Sequence, residues 1–341
     1  VVTRRLAVIL ALGLAPSACG DSRGLPTLLD ATPPAGVSPA ALAATSPADN
    51  ALTEARAQLG RRLFYDARLS RTGDVACATC HQQRHAFAEP TAVSRGVGGA
   101  TGTRNAPALV NLAWSTTLFW DGRTPTLEEQ AGQPIENPIE MNLPLAEAVA
   151  RVGADADYAG AFADAYGGAP TEATLRRALA SFVRTLASGD SPYDRHLRGD
   201  DTTFGAAAAR GEALFFSERG ECFHCHPRGS LTNDGFFNNG TYATGGDRGR
   251  QALTGRTGDL GKFKVPGLRN IAASAPYMHD GSLATLEAVI DHYDRGGGGH
   301  PSTDPQIQRL GLTSDEKTDL VAFLRALTDE AFLSDPRFGP P

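Results

Sequence analysis

The chain has 341 residues, of which 41% are hydrophobic and 21% charged, with a formal net charge of −6. That length and mixture support an ordinary buried core and about two domains. No basic tract stands out, which excludes nucleic acid as a partner on charge grounds. No segment after residue 19 is long and apolar enough to span a membrane.

Residues 1–19 read as an export signal. Arg4 and Arg5 form its positive end and Leu6 to Ala15 a short apolar run. The run ends in Pro16-Ser17-Ala18-Cys19-Gly20-Asp21, which resembles a bacterial lipobox with Cys19 as the lipidated residue. Pro16 stands where that pattern prefers Leu, and plain cleavage after Ala18 is the alternative. Either reading puts the mature protein in the periplasm, the first with a lipid anchor to the membrane. Residues 20–48, rich in Pro, Ala and Ser, read as a tether.

A first domain is expected over 49–202 and a second over 203–335. Each opens on a helical pattern containing a glycine, Gly60-Arg61-Arg62-Leu63-Phe64 and Gly211-Glu212-Ala213-Leu214-Phe215, where another backbone can come close. Each then carries a Cys-x-x-Cys-His group, Cys77-Ala78-Thr79-Cys80-His81 and Cys222-Phe223-His224-Cys225-His226, at an offset of 145 (222 − 77). These groups use four of the five cysteines, and the fifth is Cys19. The spacing is that of covalent c-type haem attachment: two thiols add to the haem vinyl groups and the next residue ligates the iron. A zinc site or a redox dithiol would not need His after the second Cys both times. Two covalently bound haem c groups are therefore expected, with His81 and His226 as iron ligands.

Each domain also closes on a helical pattern. Leu175, Leu179, Phe182, Val183 and Leu186 recur at helical spacing in the first, and Leu320, Phe323, Leu324 and Leu327 in the second. The second pattern is preceded by a capping box, Thr313 with Glu316. Strand alternation is weak, and the fold expected is all-α, two cytochrome c-like domains.

A second repeat joins the halves. Residues 120–128, from Trp120-Asp121-Gly122, align without gaps with 279–287, from His279-Asp280-Gly281, at an offset of 159 (279 − 120). Carried forward, the offset sets Pro134 opposite Tyr293. One half thus offers a phenol where the other offers a ring without a donor atom. If Tyr293 reaches the second iron, the same face of the first iron lacks that ligand, as a peroxide-activating haem requires.

Together with Arg104-Asn105-Ala106-Pro107, Leu127-Glu128-Glu129-Gln130, Asn137-Pro138-Ile139-Glu140-Met141, Ser191-Pro192-Tyr193-Asp194-Arg195, Lys264-Val265-Pro266-Gly267-Leu268-Arg269-Asn270 and Pro276-Tyr277-Met278-His279-Asp280-Gly281, these stretches resemble the bacterial dihaem cytochrome c peroxidase and MauG superfamily over about residues 50–330. The resemblance implies a peroxidatic first haem on His81. It implies Glu140 as the acid/base of O–O cleavage, Gln130 in the same distal pocket, and Trp120 as a relay between the haems. It implies a calcium ion between the domains near Asn105, Ser274 and Pro276, with Ser274 where the family usually has Thr. Hydrogen peroxide is the implied acceptor. A small redox protein, cytochrome or cupredoxin, or a side chain of a protein substrate is the implied donor.

Departures from the family pattern narrow the subtype. Many dihaem peroxidases carry a distal His on the loop after the first motif, but the position falls near Val97 in Ser94-Arg95-Gly96-Val97-Gly98-Gly99. His85, four residues beyond His81, reads as local structure. At the second haem Tyr293, Met278 and His292 compete. The family ligand lies 14 residues beyond the His of Met278-His279, which is Tyr293 (279 + 14), the MauG-like choice rather than the Met of conventional peroxidases. MauG also uses a Trp shortly before its second motif, where this chain has Gly220. Peroxide reduction is the activity expected. MauG-like oxidation of a protein partner and a non-catalytic electron-transfer cytochrome are the alternatives.

Overall fold

A computed structural model describes residues 27–30, 32–37 and 45–341. The export signal, Cys19 and the greater part of the tether lie outside the described residues. The helices of the first half are α1 (Glu54–Phe64), α2 (Leu127–Glu136), α3 (Leu145–Gly153), α4 (Ala156–Tyr166) and α5 (Glu172–Thr185). Those of the second are α6 (Pro192–Leu197), α7 (Ala206–Phe215), α8 (Leu286–Asp294), α9 (Ser314–Arg325) and α10 (Glu330–Ser334). The only paired strands among the described residues are β1 (Phe236–Phe237) and β2 (Phe263–Lys264), two residues each and antiparallel. The fold is all-α, as the weak strand alternation predicts.

Helix starts follow from capping. Thr53, Thr126, Thr285 and Thr313 each accept a backbone N–H of the first turn, which satisfies one of the donors a helix start leaves open. The box of Thr313 and Glu316 forms as predicted, with Glu316 reaching back to the Thr313 N–H at 2.8 Å.

The two motif glycines explain the pairing of helices. A methyl at Gly60 would sit 1.9 Å from the Ala178 carbonyl oxygen, and one at Gly211 would sit 1.9 Å from that of Asp319. α1 therefore crosses α5, and α7 crosses α9, at backbone contact, which no larger residue permits.

Two apolar cores result. The first holds Leu63, Phe64, Phe87 and Phe182, all at most 2% exposed, with Phe64 and Phe182 rings 5.1 Å apart. The second holds Tyr193, Phe215, Leu320 and Phe323, with Phe323 5.1 Å from both Phe215 and Tyr193. The cores exchange segments. Tyr193 already belongs to the second, and Phe332 and Phe338 return to the first. Arg61 ties the returning tail through the Gly339 carbonyl at 2.7 Å. A buried ion pair, Asp194 with Arg269, ties α6 into the second core.

The offset of 159 persists in the backbone. Asn111 and Asn270 both take positive φ (59° and 60°), as do Phe119 and Met278 (65° and 71°) and Gly122 and Gly281 (70° and 65°). Leu118 bridges Thr124 as Tyr277 bridges Leu283. Each turn glycine is pressed against the other half. A methyl on Gly122 would strike Phe236 and Arg250, and one on Gly281 would strike Ala92. The turns that precede α2 and α8 thus form the seam between the halves.

Candidate active site

Each Cys-x-x-Cys-His group lies on a single tight turn, Cys77–Cys80 and Cys222–His224. All four cysteines carry free thiols. Burial pushes the thiols of Cys77 and Cys222 up to about 12 and those of Cys80 and Cys225 to about 11, so they stand neutral and undivided by charge from an apolar ligand. Both histidines are oriented in the same way. Nδ1 of His81 lies 2.8 Å from the Phe87 carbonyl, and Nδ1 of His226 lies 2.8 Å from the Leu231 carbonyl. A carbonyl accepts, so Nδ1 carries the proton and Nε2 keeps its lone pair for iron. Burial lowers both imidazoles, His226 to about 4, which holds them in the neutral, ligating form. Paired free thiols beside an oriented, neutral imidazole fit a c-type haem in both halves.

Around the second motif opens a mostly apolar cavity lined by Cys222, Cys225, His226, Met278, Tyr293 and Trp120. Asn239 links two of the three competing side chains. Its Nδ2 lies 3.1 Å from the Met278 sulfur and donates to the Tyr293 hydroxyl at 3.3 Å. Burial pushes the Tyr293 phenol up to about 12, with the Asn239 hydrogen bond opposing. His292 does not enter the cavity. Its Nε2 is spent on the Asn239 carbonyl at 2.9 Å and its Nδ1 faces Arg295 at 3.3 Å. The helical turn that sends Tyr293 inward turns its neighbour away. Asn105, Ser274 and Pro276 are among the residues that line the same cavity.

Gln130 and Pro134 stand one turn apart on α2, and the chain then doubles back. Met141 donates to the Pro134 carbonyl at 3.1 Å, which brings the Glu140 turn against the helix. Glu140 lies close enough to Cys77 and Cys80 for its charge to push both thiols up. Burial raises the Glu140 carboxyl above its ordinary 4.5, while the Asn137 amide and the Arg123 charge oppose. Asn137 Nδ2 donates to Glu140 Oε1 at 2.6 Å. The Val97 loop packs on the same turn. Val97 N donates to the Glu140 carbonyl at 2.8 Å, and a methyl on Gly96 would come within 2.4 Å of that oxygen. His85 is not purely local structure, as the sequence suggested: its Nε2 accepts from neighbouring Arg84 at 3.1 Å, but its Nδ1 reaches across to the other half, 3.2 Å from the Ala273 carbonyl.

Trp120 bridges the two regions. Its Nε1 donates to the Asn105 carbonyl at 2.9 Å and its own carbonyl accepts from Lys264 at 2.7 Å. Asn239 and Arg123 were invisible as site residues in the sequence, where Asn238-Asn239-Gly240 signals only a turn.

Two cytochrome c-like halves with matched haem-attachment turns define a dihaem c-type cytochrome. A family model described as di-haem cytochrome c peroxidase matches residues 54–202. The methylamine utilization protein MauG of Methylorubrum extorquens is 42% identical over 288 residues, covering 83% of this chain and 81% of that protein. The cytochrome c551 peroxidase of Pseudomonas aeruginosa is 32% identical over 287 residues, covering 81% and 80%. Among solved structures, a MauG-like protein associated with microbial copper homeostasis superposes with a TM-score of 0.84 at 39% identity, covering 91% of this chain and 97% of that one. The chain belongs to the dihaem cytochrome c peroxidase and MauG family, and it is an oxidoreductase with two c-type haems.

Proposed function

We propose that the chain reduces hydrogen peroxide at the haem held by Cys77, Cys80 and His81, with electrons relayed through the haem held by Cys222, Cys225 and His226. When bound, haem supplies the redox iron at which the O–O bond is cleaved. The chain's own residues manage the proton. Glu140 takes it from the oxygen that approaches first and returns it to the leaving oxygen, while the Asn137 amide fixes one carboxylate oxygen and leaves the other free. Gln130 lines the same pocket and Trp120 passes electrons between the halves.

The observation that carries this reading is the site of Glu140, a part-buried carboxyl with a raised pKa beside the first motif. A pure electron carrier needs no such group. The loop at Val97 carries no His. Tyr293 would help hold the C-terminal haem through its iron, with Met278 as its rival on the same Asn239 amide. A tyrosinate there stabilises oxidised iron and suits sharing of oxidising equivalents, which favours MauG-like oxidation of a protein partner as the second reading. A calcium ion would take neutral oxygens from Asn105, Ser274 and Pro276, which line the cavity. The electron donor is a small redox protein. The location is the periplasm, with lipidation at Cys19 as its anchored form.

Replacing Glu140 with Gln tests the assignment. Peroxide turnover should fall by about 10²–10⁴-fold with both haems retained, and full activity would overturn the role. The pH profile carries a second signature. The working base form is lost as pH falls through the raised pKa, so the acid limb of kcat/KM should lie above 4.5 in the native protein and vanish in the Gln variant.

A further inference from the structure

Trp120 is the inner end of a chain of rings. It meets the ring of His279 edge-on, with centroids 6.5 Å apart. His279 is 3% exposed, stacks on Phe263 at 3.6 Å and meets the ring of Tyr242 edge-on at 5.4 Å. Its Nε2 lies 3.0 Å from the Tyr242 hydroxyl, and the Asp280 carboxylate faces the same hydroxyl. Tyr242 is partly exposed and is followed by exposed residues 243–246. The Gly246 backbone lies so close over its ring that a methyl there would come within 2.1 Å.

A phenol gives up an electron readily only if its proton leaves with it. Two groups able to take that proton, an imidazole nitrogen and a carboxylate oxygen, surround this hydroxyl. The other rings of the chain bring it within contact of the tryptophan between the halves. Neither a satisfied core tyrosine nor a surface tyrosine needs both features.

We propose that Tyr242 is the surface terminus of an electron path that runs through His279 to Trp120, an inference that rests on the peroxidase reading above. Tyr242 passes one electron inward and its phenolic proton to Asp280 or His279, which leaves a neutral tyrosyl radical. A one-electron reductant at the surface restores the electron, and the proton returns to the phenol oxygen. Two such cycles supply the two electrons that, with two protons, convert hydrogen peroxide into two waters. His279 and Asp280 are positioning residues that hold and receive the proton.

The test uses the holoprotein with both haems, one equivalent of peroxide and a nitroso spin trap, followed by peptide mass spectrometry. Haem absorbance is recorded in the same sample. The adduct should fall on the peptide that carries Tyr242. It should be lost in Tyr242→Phe, largely lost in Trp120→Phe, and retained in Tyr277→Phe, a buried tyrosine of the same half. A haem spectrum that responds to peroxide, with the adduct elsewhere or unaffected by Tyr242→Phe, overturns the path and leaves the peroxidase reading standing. A haem spectrum indifferent to peroxide overturns both.

Discussion

The turn at 118–124 and the turn at 277–283 are built alike, yet they lead into helices with different contents. Both use the same positive-φ positions and the same bridge, and both press a glycine against the opposite half. The helix after the first carries Pro134 and closes on Glu140, while the helix after the second carries Tyr293 under Asn239. Backbone shape is the common inheritance, and chemistry is placed on it by single side chains ten or more residues further on (134 − 124 and 293 − 283). The same lesson holds for charge. Glu128 and Glu287 share the offset of 159 (287 − 128). Glu128 pairs with Arg184, which is 3% exposed, whereas Glu287 pairs with Arg325, which is 65% exposed. One pair sits inside its half and the other in water.

The largest effect should come from erasing the proposed difference between the haem faces, an open first haem with a high-spin EPR signal against a second one closed by Tyr293. Val97→His sets an imidazole on the loop that packs against Glu140. The diferric protein should then show two low-spin signals by EPR, and its reaction with peroxide should slow by about 100-fold or more for want of an open iron position. An unchanged high-spin signal would mean that this loop does not face the first haem.

The two arginines give the next contrast. Arg184→Ala removes one partner of a buried pair and should cost about 3–5 kcal/mol in urea unfolding. Arg325→Ala should cost under about 1 kcal/mol, because water already screens that pair. Equal costs would remove burial as the cause. Arg184 also has Nε and Nη1 buried without partners, so its replacement by Met should be milder than by Ala.

The smallest change sharpens the second haem. Tyr293→Met should raise its potential by part of the roughly 0.8 V that axial ligands span, whereas Met278→Leu should leave it in place. The reverse pattern would make Met278 the ligand. Potentiometric titration of the holoprotein separates the two.

Much of the architecture could be read from residues that act locally. The glycine helices cross where Gly60 and Gly211 allow, because a methyl there has no room. The cap at Thr313 forms because its partners lie within one turn. The exchange of Tyr193, Phe332 and Phe338 between the cores was not legible, since apolar periodicity says which face is buried but not against what. At the site, the offset of 159 also relates the starts of the helices that carry Pro134 and Tyr293 (286 − 127), but neither Asn239 nor Tyr242 carried any motif.

The sequence by itself determined the two attachment turns, the helical class and the offset that relates the halves, because each depends on residues a few positions apart or on a repeated backbone pattern. Tertiary structure alone decided that Tyr293 and Met278 share one amide while His292 turns away, and that Asn105 lines the same cavity as Ser274 and Pro276. It also decided that Trp120, His279 and Tyr242 form a connected row of rings. These meetings span tens to more than a hundred residues of chain. They exist only once two cores have packed and the seam between them has closed, which no local spacing encodes.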